Sequence, residues 1–543
     1  MISASPACAR FSHIARWTPV ILLAALVGAA LFLPDRNPFH FLPSKDGADR
    51  VFNDPRARGE LSVTAIFAEG YWFPERMDPL YRPLTTLSFW MGNHVGIRPA
   101  VAQFGFNLLL HLSNAALVAL VLALLGTERR LAVVIACLWF ILPGHLEAVV
   151  GIAGRADLLA LLFGLLCVRA AVLDNFALAT AFATAAFLTK ESGAVFFVAP
   201  VIASVGRGKR IKEALTAFSL GAAAVAAVQL WRHQTNLGYF IPPGDNPLAA
   251  LPIWKRVGAA LEVDVVSGAR WLIGPTFFDG SYGAALTSKW LLGHGAESFL
   301  ITFLTIVAAI AIGYSARRNR MLCLGMAWVC LAFAPVSNVL LPIGTAWGDR
   351  LLYGPSVGLA LIAAALARHR ISAQIPLVGL CAAGLLVVVM ELPAWKDPVA
   401  LDFRFWQASP DSYRTALNCA QHAERMSTSS TETPDAIAAT IAMVEPAAIL
   451  WRESPLPDHA KDARASILTA RLQLALAANP HTPNALRTQL LMSARNYAQD
   501  AIRWDSAKRI RHRELGARDA IPASLPTAIA ISKRILAELE HTP

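Results

Sequence analysis

The sequence predicts an all-α membrane protein, a polytopic helix bundle followed by a helical domain at the C-terminal end. Hydrophobic residues make up 55% of the 543 positions, and charged residues only 16%, against about 25% in soluble globular chains. Several apolar runs reach the roughly 18 residues that a helix needs to cross a bilayer. Basic residues cluster in the short segments between these runs. These features exclude a soluble enzyme, a disordered chain and a nucleic-acid-binding protein, although the net charge is +11.

About eleven apolar runs follow one another along the chain, and each is predicted to form a membrane span. The first run follows Arg10 and Arg16, and a cleaved signal peptide is its alternative. Several middle runs are only about 13–17 residues long, which is typical of tilted helices or helices that line an aqueous cavity. The predicted spans lie at 17–33, 100–125, 131–142, 157–172, 176–188, 193–205, 215–231, 298–314, 321–341, 352–366 and 375–392.

The basic segments indicate the orientation of these spans. If Arg10 and Arg16 lie in the cytoplasm and the spans alternate, every basic loop falls on the cytoplasmic side, as the positive-inside rule requires. The long loops 34–99 and 232–297 and the tail then lie outside. We expect an integral multi-pass protein with a cytoplasmic N-terminus and an extracytoplasmic C-terminus, in a bacterial inner membrane. The basic loops are 129–130, 207–212, 317–320 and 368–370.

The C-terminal tail has a different composition from the rest of the chain. Residues 394–543 contain 18 Lys and Arg against 16 Asp and Glu. Stretches of helical pattern alternate there with Pro and Asn, which predicts pairs of helices in a solenoid of tetratricopeptide type. An irregular helical cap is the alternative. The sequence therefore predicts two domains, a membrane domain at 1–393 and an extracytoplasmic helical domain at 394–543.

Ionisable residues from widely separated segments are predicted to share the extracytoplasmic face. Charges close to a membrane are costly and mark functional sites, and a transporter would more often place them near the midplane on broken helices. A one-sided cluster of acids and bases instead favours chemistry at the outer interface. Ion pairs that simply tie loops together are the alternative. The residues are Asp46, Arg82, His145, Glu147, Arg155, Asp157, Lys190, Glu191, Asp349 and Arg350.

Such a cluster suits displacement at a carbon that carries a phosphate. A carboxylate would take the proton of an incoming hydroxyl, and Arg or Lys would stabilise the departing phosphate. We see no metal-ligand spacing and expect no metal and no cofactor. In the second span, Asn107, His111 and Asn114 share one helical face, which predicts hydrogen bonds between helices or a polar lining of the substrate cavity.

The motifs that carry these residues resemble a known family when they are taken in order. They resemble the transmembrane-and-tetratricopeptide-repeat (TMTC) O-mannosyltransferases, within the wider GT-C glycosyltransferase fold, over about residues 40–410. The strings are Tyr81-Arg82-Pro83-Leu84, His145-Leu146-Glu147, Gly154-Arg155-Ala156-Asp157, Lys190-Glu191-Ser192-Gly193 and Asp349-Arg350-Leu351-Leu352-Tyr353.

The resemblance implies a polyprenyl- or dolichyl-phosphate sugar as donor and an inverting transfer to a hydroxyl of a protein, glycan or lipid. It also implies that a carboxylate early in the first outside loop acts as the base. This is Asp46, with Asp49 as its rival because the second position of the family's acidic doublet is Gly47 here. Arg350, with Arg82, would hold the donor phosphate. The cavity residues would be His145, Glu147, Arg155, Asp157, Lys190, Glu191 and Asp349.

The residues alone are also compatible with two other classes of protein. A transporter or flippase for a lipid-linked substrate would show inverted repeats and charges at the midplane, and we see neither. A non-catalytic membrane scaffold would use its helical tail to bind partners and would tolerate the loss of Asp46.

Overall fold

The computed structural model describes residues 51–73, 80–205, 210–235, 246–273, 296–367, 398–408, 415–421, 434–514 and 525–540, with the single positions 208, 241, 386, 388, 390 and 395. Within these ranges the regular structure is helical and contains no β-strand. The predicted spans at 17–33 and, almost entirely, at 375–392 lie outside the described residues, as do Asp46 and Asp49.

The N-terminal half forms a helix bundle around one large apolar core. Proline begins both α2 and α3, where its fixed φ angle suits the first helical turn and its missing N–H costs nothing. The helix α6 packs against α3 and α7. The bounds are α1 Val63–Ala68, α2 Pro83–Asn93, α3 Pro99–Leu124, α4 Arg129–Phe140, α5 Leu146–Val150, α6 Arg155–Val172, α7 Phe176–Thr189, α8 Ala199–Val205 and α9 Ile211–Thr235.

Short 3₁₀ turns interrupt this bundle at the positions of the sequence motifs. They span Pro143–His145, Ile152–Gly154 and Glu191–Val198. Glycine permits the tight approaches at these breaks. A Cβ at Gly154 would lie 2.2 Å from the carbonyl oxygen of Ala148, closer than any side chain allows. Helices that break in this way leave polar side chains between them, which is tolerated at membrane depth only where protein or a cavity surrounds them.

Residues 253–367 contribute four more helices. These are α10 Ile253–Ile273, α11 Ala296–Ala316, α12 Arg320–Phe333 and α13 Ser356–Ala367. α12 and α13 touch through glycines, because a Cβ at Gly325 would lie 2.8 Å from the carbonyl oxygen of Gly358. Small residues at helix contacts are typical of membrane bundles. Two further 3₁₀ turns, Ala334–Val336 and Asp349–Leu352, lie between these helices.

The C-terminal helices pack in chain order around a second apolar core. They are α14 Pro398–Ala408, α15 Pro434–Glu453, α16 Arg464–Ala478, α17 Asn484–Glu514 and α18 Leu525–Glu540. α15 packs on α16, α16 on α17, and α17 on α18. Buried Trp451 and Trp504 lie at the centre of this core. Successive packing is compatible with the predicted solenoid, and both the tetratricopeptide type and the domain boundary at 393 stay predictions.

Three described helices are long and apolar enough to cross a membrane, and a bent pair would make four. The three are Pro99–Leu124, Ile211–Trp231 and Pro434–Glu453, and the bent pair is α4 with Pro143–Val150. The prediction of a membrane protein is supported, whereas the count of eleven spans is not confirmed. Pro434–Glu453 falls in the predicted extracytoplasmic tail, where its apolar face packs into the second core.

Candidate functional site: three ion pairs at the helix breaks

Three ion pairs join the breaks of the bundle, and together they contain six of the predicted site residues. Glu147 pairs with Arg350, Asp157 with Lys190 at 2.5 Å, and Glu191 with Arg82 at 2.7 Å. The partners are 203, 33 and 109 positions apart in the sequence. The structure therefore brings these six residues together in pairs, and their predicted role in a reaction at the extracytoplasmic face stays a prediction.

The geometry differs among the pairs. Arg82 holds Glu191 with two nitrogens, since Nε lies 3.0 Å and Nη2 2.7 Å from Oε2. Arg350 binds Glu147 through its guanidinium and also through its backbone N–H, which donates to Oε2 at 2.9 Å. Lys190 is 8% exposed and Arg350 26% exposed. Arg350 is thus the more accessible of these two cations.

The three cations lie close enough to influence one another. Burial, with the like charges of Arg82 and Arg350, lowers the pKa of Lys190, although Asp157 opposes the shift. Burial alone would lower the pKa of Arg82, but Glu191 together with Tyr71 and Asp157 outweighs burial and raises it. The three pairs therefore form one electrostatic site, and we call them the ion-pair cluster.

A small cleft of about 30 Å³ opens beside Asp157 of this cluster. Asp157 and Ser192 provide polar groups on its wall. The rest of the wall is mainly apolar, with Phe196, Val336 and Leu351 among its residues. A cleft with apolar walls and a few convergent polar groups is the usual form of a small-molecule site. The lining of this cleft has that character, and its volume in this structure is that of about one or two water molecules.

Arg155 does not join the ion-pair cluster. Its guanidinium is completely buried and donates to the Gln103 side chain at 2.9 Å, to the Gln103 carbonyl at 2.6 Å and to Asn107 Oδ1. It also lies over the ring of Phe106 at 5.0 Å. In this structure Arg155 fixes α6 to α3.

His145 and Asp349 are also buried next to the cluster, and both face protein groups. His145 Nε2 lies 3.0 Å from Ser356 Oγ, and its ring stands 5.6 Å from that of Trp271. The carboxylate of Asp349 accepts from Trp347 Nε1 at 3.0 Å. Both residues therefore stabilise the turns that carry the ion pairs.

The polar stripe on α3 forms hydrogen bonds between helices, which was one of its two predicted roles. Asn114 Nδ2 donates to the carbonyl of Leu158 at 2.9 Å and to the hydroxyl of Tyr353 at 3.1 Å. His111 lies 2.8 Å from the same hydroxyl. These side chains connect α3 with α6 and with the segment before α13.

Two aromatic residues of the site were missed by sequence reasoning. The ring of Tyr71 lies under the guanidinium of Arg82, with 4.9 Å between the guanidinium carbon and the ring centre. The indole N–H of Trp271 donates to the carbonyls of Gly144, which precedes Glu147, and of Asp349, which precedes Arg350. Trp271 lies in a segment that has no hydrophobic run, so nothing in the local pattern distinguishes it. Among the described residues, no group of three or more His, Cys, Asp or Glu side chains is placed to hold a metal ion.

Fold and site together define a helical membrane protein whose ionisable groups gather where helices break. The chain is similar to human protein O-mannosyl-transferase TMTC3, with 24% identity over 365 residues that cover 59% of this chain and 39% of that protein. It is similar to protein O-mannosyl-transferase F38B6.6 of Caenorhabditis elegans, with 23% identity over 348 residues that cover 59% and 47%. The match to mouse protein O-mannosyl-transferase TMTC1 is 39% over 127 residues, which cover 21% and 13%.

These relatives confirm the resemblance that the motifs predicted. The chain spans about half the length, or less, of the curated relatives it matches. No family model and no solved structure matches the chain, so the GT-C fold stays an expectation.

Proposed function

We propose that the protein is a membrane glycosyltransferase that moves a monosaccharide from a polyprenyl- or dolichyl-phosphate donor to a hydroxyl of a protein acceptor. The observation that carries the proposal is the gathering of Arg82, Lys190 and Arg350 in ion pairs at the helix breaks, where Asp157 also lines a small cleft with largely apolar walls. Three cations suit a phosphate, and an apolar wall suits the lipid attached to it. The names of the relatives support a protein as the acceptor.

The cations are paired with carboxylates in the structure, which gives a simple scheme for donor binding. The donor phosphate would take the place of Glu147 on Arg350, the more exposed of the cations compared above. A guanidinium binds a phosphate through two parallel N–H groups. Arg82 and Lys190 would stay paired with Glu191 and Asp157, so neither is an uncompensated buried charge when no donor is bound.

The transfer itself would be one displacement at the anomeric carbon. The acceptor hydroxyl oxygen forms the new bond, its proton passes to the carboxylate of Asp46, and the bond from the anomeric carbon to the phosphate oxygen breaks. The electron pair leaves with the lipid phosphate, where Arg350 stabilises the charge. A single displacement inverts the anomeric centre. The assignment of Asp46 as the base, with Asp49 as its rival, rests on the sequence resemblance. Both residues lie in the segment predicted to be extracytoplasmic.

The test is turnover of a panel of polyprenyl-phosphate monosaccharides by the purified protein in detergent. Wild type is compared with Asp46→Asn, Asp49→Asn and Arg350→Ala. Arg58→Ala is the matched control, because the Arg58 side chain is 52% exposed and pairs with the similarly exposed Glu60. We expect turnover to be lost with Asp46→Asn and Arg350→Ala and retained with Arg58→Ala, while every variant elutes as a folded protein.

The other outcomes distinguish the alternatives. Turnover that survives Asp46→Asn and is lost with Asp49→Asn would move the base to Asp49. No turnover by the wild type with any donor would overturn the enzyme proposal. Movement of a lipid-linked donor across proteoliposomes would then favour a flippase, and its absence would favour the scaffold.

A further inference from the structure

Trp271, near the C-terminal end of α10, connects the turn that precedes Glu147 with the turn that carries Arg350. Its indole Nε1–H donates to the carbonyl of Gly144 at 2.9 Å and to the carbonyl of Asp349 at 3.1 Å. Gly144 is three positions before Glu147, and Asp349 is next to Arg350. One side chain from a separate helix therefore binds the main chain close to both members of this ion pair.

The indole ring of Trp271 is tightly enclosed and has little room to move. Trp271 is 2% exposed, and a Cβ at Gly144 would lie 2.0 Å from the ring. The turn Pro143–His145 can therefore accept the indole only because Gly144 has no side chain. The ring of His145 stands across it at 5.6 Å. A ring confined in this way holds its hydrogen-bond partners in one arrangement.

The middle of α10 is buried in the second apolar core. Ala259 and Ala260 are fully buried and belong to the same apolar core as Trp451 and Trp504. From Ala260 to Trp271 the helix rises about 16 Å, at about 1.5 Å per residue. α10 therefore reaches from the core of the C-terminal helices to the ion-pair cluster.

A second segment makes the same connection. Ala346 is buried in the C-terminal core, and Val339 packs against it, while Arg350 lies a few residues further along. The start of this segment is held by Asn246, which donates to Asn338 Oδ1 at 2.7 Å and to the carbonyl of Ile343 at 2.7 Å. Both connections lead from the C-terminal core to the turn of Arg350.

We infer that Trp271 is a positioning residue that sets Arg350 against Glu147, and that the C-terminal helices hold it in place through α10. The consequence for donor binding rests on the proposed function, whereas the positioning of the ion pair does not. In this arrangement the C-terminal helices form part of the support of the site, in addition to any partner they bind.

The first test is Trp271→Phe, which removes the indole N–H and keeps an aromatic ring. The matched control is Trp395→Phe, because the Nε1 of Trp395 has no acceptor among the described residues. Losing a hydrogen bond that orients Arg350 should raise the donor KM about five- to tenfold and change the acceptor KM little. An unchanged donor KM in a folded Trp271→Phe variant would overturn the positioning role.

The second test needs no turnover. The protein is labelled with 5-fluorotryptophan, and the fluorine resonance that disappears in Trp271→Phe is assigned to Trp271. We expect this resonance to shift with Glu147→Gln, which weakens the ion pair, and with Ala260→Leu, which overfills the contact with the C-terminal core. If Ala260→Leu does not fold, Ala260→Ser takes its place.

The outcomes separate the two proposals. If the Trp271 resonance does not shift with Glu147→Gln, the indole is not coupled to the ion pair. The inference is then refuted, whether or not the protein turns over a donor. If the resonance shifts with Glu147→Gln but not with the change at Ala260, the C-terminal helices do not hold Trp271 in place. Shifts in both variants together with no turnover by the wild type would refute the proposed function and support the inference.

Discussion

Glu147 receives both the guanidinium and the backbone N–H of Arg350, a residue 203 positions later in the chain. One carboxylate thereby fixes the side chain and the main chain of the same turn. A ligand that displaces the carboxylate from the guanidinium can leave the backbone hydrogen bond intact. The turn Asp349–Leu352 would keep its place while the charge of Arg350 becomes available.

Substitution of Arg350 tests the charge and the geometry separately. We expect Arg350→Ala to lower kcat/KM for the lipid-phosphate donor by about 10²- to 10³-fold, as the loss of one group that stabilises developing charge does in other enzymes. Arg350→Lys keeps the charge but loses the planar fork, so it should fall between Ala and wild type. The measurement is steady-state donor kinetics. Equal kinetics for Arg350→Ala and wild type would remove Arg350 from the site.

Arg155 should govern stability. Arg155→Met would leave Asn107 Oδ1 and Gln103 Oε1 buried without the donor they now have, and each unsatisfied group costs about 1–3 kcal/mol. We expect a large fall in the thermal midpoint in detergent, followed by scanning fluorimetry. The control is Arg169→Met near the other end of α6, where only a small change is expected. A folded Arg155→Met variant with an unchanged midpoint would show that the network contributes nothing.

Asp264 on α10 predicts a pH dependence. Burial raises its pKa to about 8, far above the usual value of about 3.9. The folded state then binds a proton that the unfolded state has lost, so stability should fall as pH rises from about 4 to about 8. Asp264→Asn should flatten this fall in the thermal midpoint between pH 5 and 8. Glu60→Gln, at a side chain that is 50% exposed, is the control and should leave the slope as it is in wild type.

Chelation tests whether the reaction uses a metal ion. The proposed chemistry relies on Arg and Lys to neutralise the leaving phosphate, so we expect turnover to survive EDTA. The measurement is donor turnover before and after chelation, with manganese or magnesium added back. Activity that is lost with EDTA and restored by either ion would contradict the proposed mechanism.

Sequence patterns identified most of the helices of the first half and the motifs of the site, for a physical reason. Apolar runs have a strong local signal, and α3, α6 and α7 lie where those runs predicted them. The charged motifs fall at the breaks between helices, where polar groups avoid lipid. The choice of partner within the ion pairs could not be predicted. Asp157 and Lys190 are 33 positions apart and Arg82 and Glu191 are 109 positions apart, so each pair depends on how separate helices pack together.

Other features left no local signal. Arg155 has the same residue type and predicted face as Arg350, and only the packing of α3 against α6 decides that it is buried with Gln103 and Asn107. Pro434–Glu453 satisfies the length and hydropathy criteria for a span, yet Glu445 accepts from the hydroxyl of Tyr497 at 2.9 Å within the C-terminal helices. Composition alone does not distinguish a core helix from a membrane span in such a case.

The burial of Arg155 also has a consequence for the order in which the chain is inserted. Inserting a guanidinium at the centre of a membrane span costs about 2.5–3.5 kcal/mol on translocon-insertion scales, whereas here the hydrogen-bond acceptors of Arg155 come from α2 and α3. Ribosomal synthesis delivers those helices before α6, so the acceptors are already present when Arg155 leaves the translocon. A circular permutant that placed α6 ahead of α3 would expose the cation to lipid during biogenesis, even though its finished fold could be the same.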